Sequence, residues 1–218
     1  MSEDVWDELN RFGRSRRYGT GDRVLLEGGE RGSVMLIHRG HVRIAATTEE
    51  GVEVTLAVRG PGDVIGDHSA LTGGTRSAGV VALGSVELTI VSSNQYLDVL
   101  ERHPGELLDQ LRRTLRALAD ADERLVEMTA LRVPARVVRR LIHLADVGED
   151  EGSAVVIPMS QEEFAAMCGA SRGAVAVVLA ELRDRGIVST ARRRIRVEDL
   201  PALQALEPSS LWGDTAER

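Results

Sequence analysis

Two stretches hold the residues whose types and spacing can do chemistry. The first is Ser160–Arg185, SQEEFAAMCGASRGAVAVVLAELRDR. Ser160 with Glu163 three positions later has the form of a capping box, a helix start. Phe164, Ala165 and Cys168 share one helical face, and Gly169 suits the left-handed conformation that ends a helix. Ser171 can cap a second helix with apolar positions Val175, Val178, Leu179 and Leu182. Counted from Gln161, Ala falls fifth, Gly ninth, and Val fifteenth and eighteenth. Two steeply crossing helices need a small side chain at the crossing, a flexible turn and buried branched residues on the second helix. The spacing therefore predicts a DNA-binding helix-turn-helix; the plain alternative is a helical hairpin in a globular core. Ser160, Gln161 and Ser171 sit at the two helix starts, where hydroxyls and backbone N–H groups suit phosphate. Arg172 is placed to reach guanine O6 and N7, and Ala176 and Val177 to touch thymine methyls. Gly173 shares that reading face without a hydrogen-bonding side chain. Ile187–Thr190 and Arg194–Val197 form a predicted hairpin, a wing, bearing Arg192, Arg193, Arg194 and Arg196. These arginines either contact phosphate or make a solvated basic face.

The second stretch is Gly60–Ala78, GPGDVIGDHSALTGGTRSA. Gly60-Pro61-Gly62-Asp63 reads as a tight turn, and a loop through Thr72-Gly73-Gly74-Thr75 leads to Arg76-Ser77-Ala78. Gly66 permits close approach of backbone to a ligand. Arg76 offers a fork of donors suited to phosphate, Ser77 adds a hydroxyl, and Asp67 can accept from a ribose hydroxyl. Together they make a phosphate-and-ribose cradle without a P-loop. The structural alternative is an Arg76–Asp67 salt bridge inside a loop.

Elements of three kinds must position these residues. Residues 3–12 have helix-period apolar positions. From about Tyr18 the period becomes two, with strands at Val24–Leu26, Val34–His38, His41–Ala46, Glu53–Val58, Val64–Ile65, Gly79–Leu83 and Glu87–Val91, separated by glycine-rich turns. Many short strands so punctuated predict an antiparallel roll or sandwich. A short helix then ends at Pro104, and a long one runs from Gly105 to Thr129. Its Leu108, Leu111, Leu115, Leu118 and Leu125 step by three, four, three and seven, a coiled-coil seam, with Asp122 at the missing step. The seam either pairs with a second copy or packs on the roll. Ala135–Val147 is a further helix, GEDEGS at 148–153 an acidic loop, and AVVIPM a short strand before the motif. Asp199 can cap a last helix.

The chain has 218 residues, enough for one large or two modest domains. No apolar run is long enough for a membrane span, and the acidic, polar start is not a secretory signal, so a cytoplasmic protein without a membrane partner is expected. One cysteine excludes an internal disulfide and a multi-cysteine metal site, and Cys168 reads as a small buried apolar residue. All 27 basic residues are Arg and the net charge is −7. Residues 131–199 nonetheless carry about +1, so the acidic excess lies mostly in the first 130. No metal-ligand spacing, nucleophile elbow, P-loop or paired carboxylates suggest an enzyme.

With PGDVIGD…TRSA in a roll, a long helix, and CGASRGAV in a winged helix, nearly the whole chain resembles the CRP/FNR family of bacterial transcription regulators. The resemblance implies an α+β chain. An N-terminal antiparallel β-roll, jelly-roll-like and cyclic-nucleotide-binding, spans 1–104. A long dimerisation helix spans 105–133, a winged helix-turn-helix 134–206, and a tail 207–218. It implies a homodimer that binds a palindromic DNA operator, with RNA polymerase as a further partner. No cofactor is required; a cyclic nucleotide such as cAMP is the favoured effector, held by Gly66, Asp67, Arg76, Ser77 and Ala78. The family's nucleotide binders have Glu where this chain has Asp67, and hydroxyl residues where it has Ala121 and Asp122; Asp122 can accept from an exocyclic amine. The best-known members have Glu and Arg where this chain has Gly173 and Val177, so a different operator is expected. Gly173 and Val177 also keep open a signalling module acting through protein partners, and an effector-independent regulator is the other alternative. Oxygen sensing of the FNR type would need N-terminal cysteines. His38, His41 and His68 are single histidines, which read as structural rather than as haem ligands.

Overall fold

The computed structural model describes residues 1–206 apart from Val52, Val147 and Ser153, and only the backbone of 149–151. The expected tail at 207–218 lies outside the described residues. The chain divides into two units, Met1–Asp122 and the part from Glu123 on. The first unit opens with helix α1 (Glu3–Phe12) and strands β1 (Arg14–Tyr18), β2 (Arg23–Leu25), β3 (Ser33–Arg39), β4 (Val42–Thr47), β5 (Glu53–Arg59) and β6 (Val64–Ile65). Helix α2 (Asp67–Thr72), strands β7 (Gly79–Ala82) and β8 (Val86–Ser92), and helices α3 (Ser93–Arg102) and α4 (Pro104–Ala130) follow. The strands form two antiparallel four-stranded sheets, ordered β1-β8-β3-β6 and β2-β7-β4-β5.

The apolar run of β3 explains how the roll is filled. Met35 and Ile37 join a cluster with Val42, Val80, Val86 and Leu88 from strands of both sheets. Val34 and Leu36, on the other face of the strand, pack with Val5, Leu9, Tyr96, Val99 and Leu100 of α1 and α3. A strand buried on both faces needs apolar residues throughout, not alternation. Each fully buried side chain of this size contributes about 1.5–3 kcal/mol.

In the first unit two elements differ from the sequence expectation. Strand β1, RSRRY, has no apolar alternation because it is a sheet edge, exposed except at Tyr18. It is held by its pairing with β8, by Arg16 stacked 5.0 Å over the Tyr18 ring and by an Arg17–Glu87 ion pair at 3.6 Å. The segment read as turn and loop after Gly66 contains α2, bounded by Gly66 and Gly73 at φ of 80° and 75°, values that only glycine adopts cheaply. Pro104 ends one helix and begins the next, being tolerated in a first helical turn where an N–H has no partner anyway.

The leucine seam of α4 does not pack on the roll. Leu108, Leu111, Leu115, Leu118 and Leu125 are 49 to 64% exposed, whereas Glu106 and Gln110 are buried. Near its start the helix thus turns these two polar side chains inward while its leucines stay exposed.

The second unit contains α5 (Val133–Ala145), β9 (Glu149–Glu151), β10 (Ala154–Ile157), α6 (Gln161–Met167), α7 (Arg172–Asp184), β11 (Val188–Ala191), β12 (Arg194–Val197) and α8 (Leu200–Gln204). Its sheet is ordered β11-β12-β10-β9. The acidic segment expected as a loop thus includes a strand, β9, paired with β10. Asp199 caps α8 by accepting from the Ala202 N–H at 2.9 Å. No single helix among the described residues is long and apolar enough to cross a membrane.

Candidate functional site

In the first unit a cavity of about 600 Å³ opens between the roll and the middle of α4, from Gln110 to Asp120. Gly66, Asp67, Arg76, Ser77 and Ala78 all line it, so one wall is the predicted cradle. The guanidinium of Arg76, however, is turned inward. It is 4% exposed. Its Nη1 donates to Gly66 O at 2.7 Å and Ser69 Oγ at 2.5 Å, its Nε to Glu30 O at 3.2 Å, and its Nη2 to the carbonyl and hydroxyl of Ser33. All five donors of the group are thereby used. Burial pulls its pKa below the ordinary value and the nearby Asp67 carboxylate works against that. The expected fork toward phosphate is here a clamp on three backbone carbonyls, and its charge reaches the cavity from behind. Gly66 is fitted to this clamp: a Cβ there would lie 2.5 Å from Arg76 Nη1.

The Asp67–Arg76 salt bridge of the structural alternative does not form as a direct contact. Asp67 accepts instead from Gln110 Nε2 at 2.5 Å. Ser77, exposed, shares its hydroxyl with His68 Nδ1 at 3.3 Å. Asp122 corrects an expectation: it is exposed and does not line the cavity, while Asp120 does. Residues two apart on an α-helix point about 200° apart, so the cavity cannot take both. Gln110, Arg113, Thr114 and Ala117 line the wall and were not foreseen. Their spacing of i, i+3, i+4, i+7 was the available signal: one polar or small face, distinct from the leucine seam.

In the second unit the two motif helices bend by 107°, within the range of a helix-turn-helix. The capping box at Ser160 is formed: its Oγ accepts from Glu163 N at 3.2 Å and donates to Glu163 Oε2 at 2.6 Å. That commits the Ser160 hydroxyl to the cap. Gly169 takes φ 59° at the turn. Ser171 Oγ accepts from Ala174 N at 3.2 Å and starts α7. Val175, Val178, Leu179 and Leu182 are buried, while Arg172, Gly173 and Val177 are exposed and Gln161 and Ala176 half-buried. The first two wing strands pair as expected, Ala191 opposite Arg194, leaving Arg192 and Arg193 as the turn. Arg192, Arg193 and Arg194 are exposed. Arg193, at φ 56°, ion-pairs with Glu163 Oε1 at 3.0 Å. One wing cation is thus tied to the first motif helix by the carboxylate that caps it.

This arrangement has known counterparts. Residues 15–103 match the cyclic nucleotide-binding domain and residues 135–206 the Crp-like helix-turn-helix domain. Over 204 residues the chain is 30% identical to the cyclic AMP receptor protein of Thermus thermophilus, covering 94% of this chain and 92% of that one. The chain belongs to the CRP/FNR family. A CRP-like cAMP-activated global transcriptional regulator of Mycobacterium tuberculosis is 29% identical over 183 residues, 82% of this chain and 81% of that protein. The structure of a CRP/FNR-family transcriptional regulator, also of Thermus thermophilus, superposes with a TM-score of 0.67 at 25% identity, covering 88% of this chain and 96% of that one. The family is one of DNA-binding transcription regulators, not of enzymes.

Within this CRP/FNR-type second unit, Arg136 links the residue after α4 to the turn of the motif. Its Nε and Nη2 donate to Cys168 O at 2.9 Å and Gly169 O at 3.1 Å, and its Nη1 to Leu131 O at 3.0 Å. One guanidinium thereby satisfies carbonyls at the ends of α4 and α6, which helix geometry leaves without partners. Cys168 itself is 2% exposed. Burial pushes its thiol up to about 12, against the opposing pull of Arg140 and Arg136. A disulfide reagent such as DTNB at pH 7–8 is therefore expected to leave the folded protein unmodified and to titrate one thiol after denaturation. Rapid labelling of the folded protein would contradict this.

Proposed function

We propose that this CRP/FNR-family chain is a cytoplasmic homodimeric transcription regulator. It reads a two-fold symmetric operator and is gated by a cyclic nucleotide, cAMP or a close relative, in the cavity of the first unit. The observation that carries the dimer is the outward leucine face of α4, with Leu115 and Leu118 55% and 57% exposed in the single chain. A seam with heptad-like spacing left in water is stabilised by a second identical helix. The nucleotide reading is supported by the walls of the cavity. Asp67 serves the ribose, and Ser77 and the backbone around Ala78 serve the phosphate. Gly66 lets the loop approach, and Arg76 supplies positive charge from beneath. RNA polymerase is the natural further partner of a regulator so built.

On DNA, Arg172 is the base-reading residue. Ser171, Gln161, Arg192 and Arg194 serve phosphates, and the exposed Val177 with Ala176 meets thymine methyls. Gly173 lets the backbone of the reading helix come close. Arg172→Ala is expected to cost about 1–3 kcal/mol on the operator and to relax preference at one base pair per half-site. Fluorescence anisotropy on operators varied one position at a time measures this. An equal loss on operator and random DNA would remove the base-reading role. The whole reading is tested by calorimetry against cyclic AMP and cyclic GMP together with selection of bound sequences from random DNA. Absence of a palindrome among the selected sequences would favour the signalling-module alternative.

A further inference from the structure

The acid that the cradle offers to a ribose already has a partner from the long helix. Gln110 Nε2 donates to Asp67 Oδ2 at 2.5 Å, and Gln110 is 5% exposed. Its Oε1 accepts from Arg113 Nη2 at 2.8 Å and Nε at 3.2 Å. Both ends of the amide are thus engaged, one on the roll side of the cavity and one on α4. A hydrogen bond from an amide N–H to a carboxylate has the same donor and acceptor chemistry as one from a ribose hydroxyl to that carboxylate. An aspartate reaches one methylene less than a glutamate, and the long Gln110 side chain spans the difference.

The surrounding junction is incompletely satisfied. Tyr96 Oη and Glu106 Oε2 are buried without a hydrogen-bond partner among the described residues. Tyr96 feels the charges of Asp67, Arg113 and Glu106, which places these groups in one electrostatic neighbourhood. Buried polar atoms without partners are costly, so an alternative arrangement that pairs them is accessible to a ligand's binding energy. Gln110 also lies beside Leu111 on the helix turns that carry the outward Leu107, Leu108 and Leu111.

We propose that Gln110 is a built-in stand-in for the effector's ribose: its amide holds Oδ2 of the Asp67 carboxylate, and a ribose hydroxyl that takes this oxygen displaces it. Displacement frees the Arg113 guanidinium from the amide and alters the first turns of α4, next to the leucine seam. Gln110 thereby sets the concentration at which effector acts and ties occupancy to the helix. The inference rests on the nucleotide reading of the cavity.

The test compares wild type and Gln110→Ala by calorimetry with cyclic 3′,5′-AMP and its 2′-deoxy analogue. The variant is expected to bind the ribonucleotide roughly ten- to hundredfold more tightly, the worth of a hydrogen bond to a charged group that no longer has to be broken. The 2′-deoxy analogue is expected to change by less than about threefold, since it makes no hydroxyl contact with Asp67. An equal gain on both nucleotides, or no gain on the ribonucleotide, overturns the proposal. A double-mutant cycle of Asp67→Asn and Gln110→Ala in urea, without nucleotide, reads the contact independently. Non-additive effects are expected, and additive ones also overturn the proposal. If the cycle is non-additive but neither protein binds any cyclic nucleotide, the contact is real and the stand-in role falls with the nucleotide reading of the cavity. If nucleotides bind without the ribose-selective gain, only the role of Gln110 falls.

Discussion

Glu127→Ala is expected to destabilise the second unit by about 3–5 kcal/mol, the cost of leaving a buried charge unpaired. Glu127 is 7% exposed and Arg140 6%. Glu127 Oε2 accepts from Arg140 Nη2 at 3.2 Å, and its Oε1 meets Arg139 Nη1 at 3.3 Å. Arg140 Nε is already buried without a partner among the described residues, so the guanidinium has little to fall back on once Glu127 is gone. Urea unfolding of the full chain, followed by a probe in the second unit, measures the loss. Glu127→Gln keeps an acceptor and is expected to lose less. Replacing the pair together, Glu127→Leu with Arg140→Met, should recover most of the stability, because two packed apolar side chains need no counter-charge. A Glu127→Ala protein within about 1 kcal/mol of wild type would show that water reaches Arg140 and that the pair contributes little. Operator binding should fall only in proportion to the unfolded fraction, since Glu127 lies on no reading surface.

Leu115→Arg is expected to act in the opposite way, with a small effect on folding and a large one on function. Leu115 is 55% exposed in the single chain, so its replacement should change monomer stability by no more than about 0.5 kcal/mol. In a paired seam the same change puts a guanidinium opposite its own copy across an apolar interface. Sedimentation should then show a monomer at micromolar concentration. Operator affinity should drop toward the non-specific level, a loss of roughly 10³-fold or more, because one half-site alone no longer holds the protein. A Leu115→Arg protein that still sediments as a dimer and binds operator normally would move the interface elsewhere. The pairing of a near-silent stability effect with a lost assembly separates this variant from Glu127→Ala.

Much of this architecture was legible in the residue order because the signals were local. A capping box, a left-handed glycine and branched residues at helical spacing depend on neighbours within a turn or two. The motif at Ser160–Asp184 could therefore be read before any packing was known. The strands of the roll were readable from alternation where one face meets water, and at Val34–Ile37, buried on both faces, from a short apolar run between glycine turns. They were not readable at Arg14–Tyr18, because an edge strand held by its partner's hydrogen bonds needs no apolar pattern of its own. The helix at Asp67–Thr72 was hidden by its shortness: six residues between two glycines look like a loop.

The site was legible by residue type but not by direction. Sequence brought Gly66, Asp67, Arg76, Ser77 and Ala78 to one wall, and the structure assembles them there. Which way Arg76 points was outside its reach, since that depends on carbonyls of Glu30 and Ser33, more than forty positions away. The same limit applies to Asp122, exposed where a pocket residue was expected, and to Gln110, whose partner lies 43 positions earlier. Glu127 and Arg140 carry no signal in the spacing of their neighbours, and only their burial against each other gives them structural weight.

By itself the sequence determined the class of the protein: the order of roll, long helix and winged helix-turn-helix, and the residue types on each candidate surface. Local spacing and hydrophobic periodicity suffice for that, because they fix which elements form and which faces must be buried. The tertiary structure alone decided how the side chains are engaged. It turned Arg76 into a clamp, gave Asp67 to Gln110, tied Arg193 to Glu163 and put the leucine seam outside the fold. These outcomes follow from burial and from hydrogen bonds between distant segments, which have no signature in the spacing of neighbours.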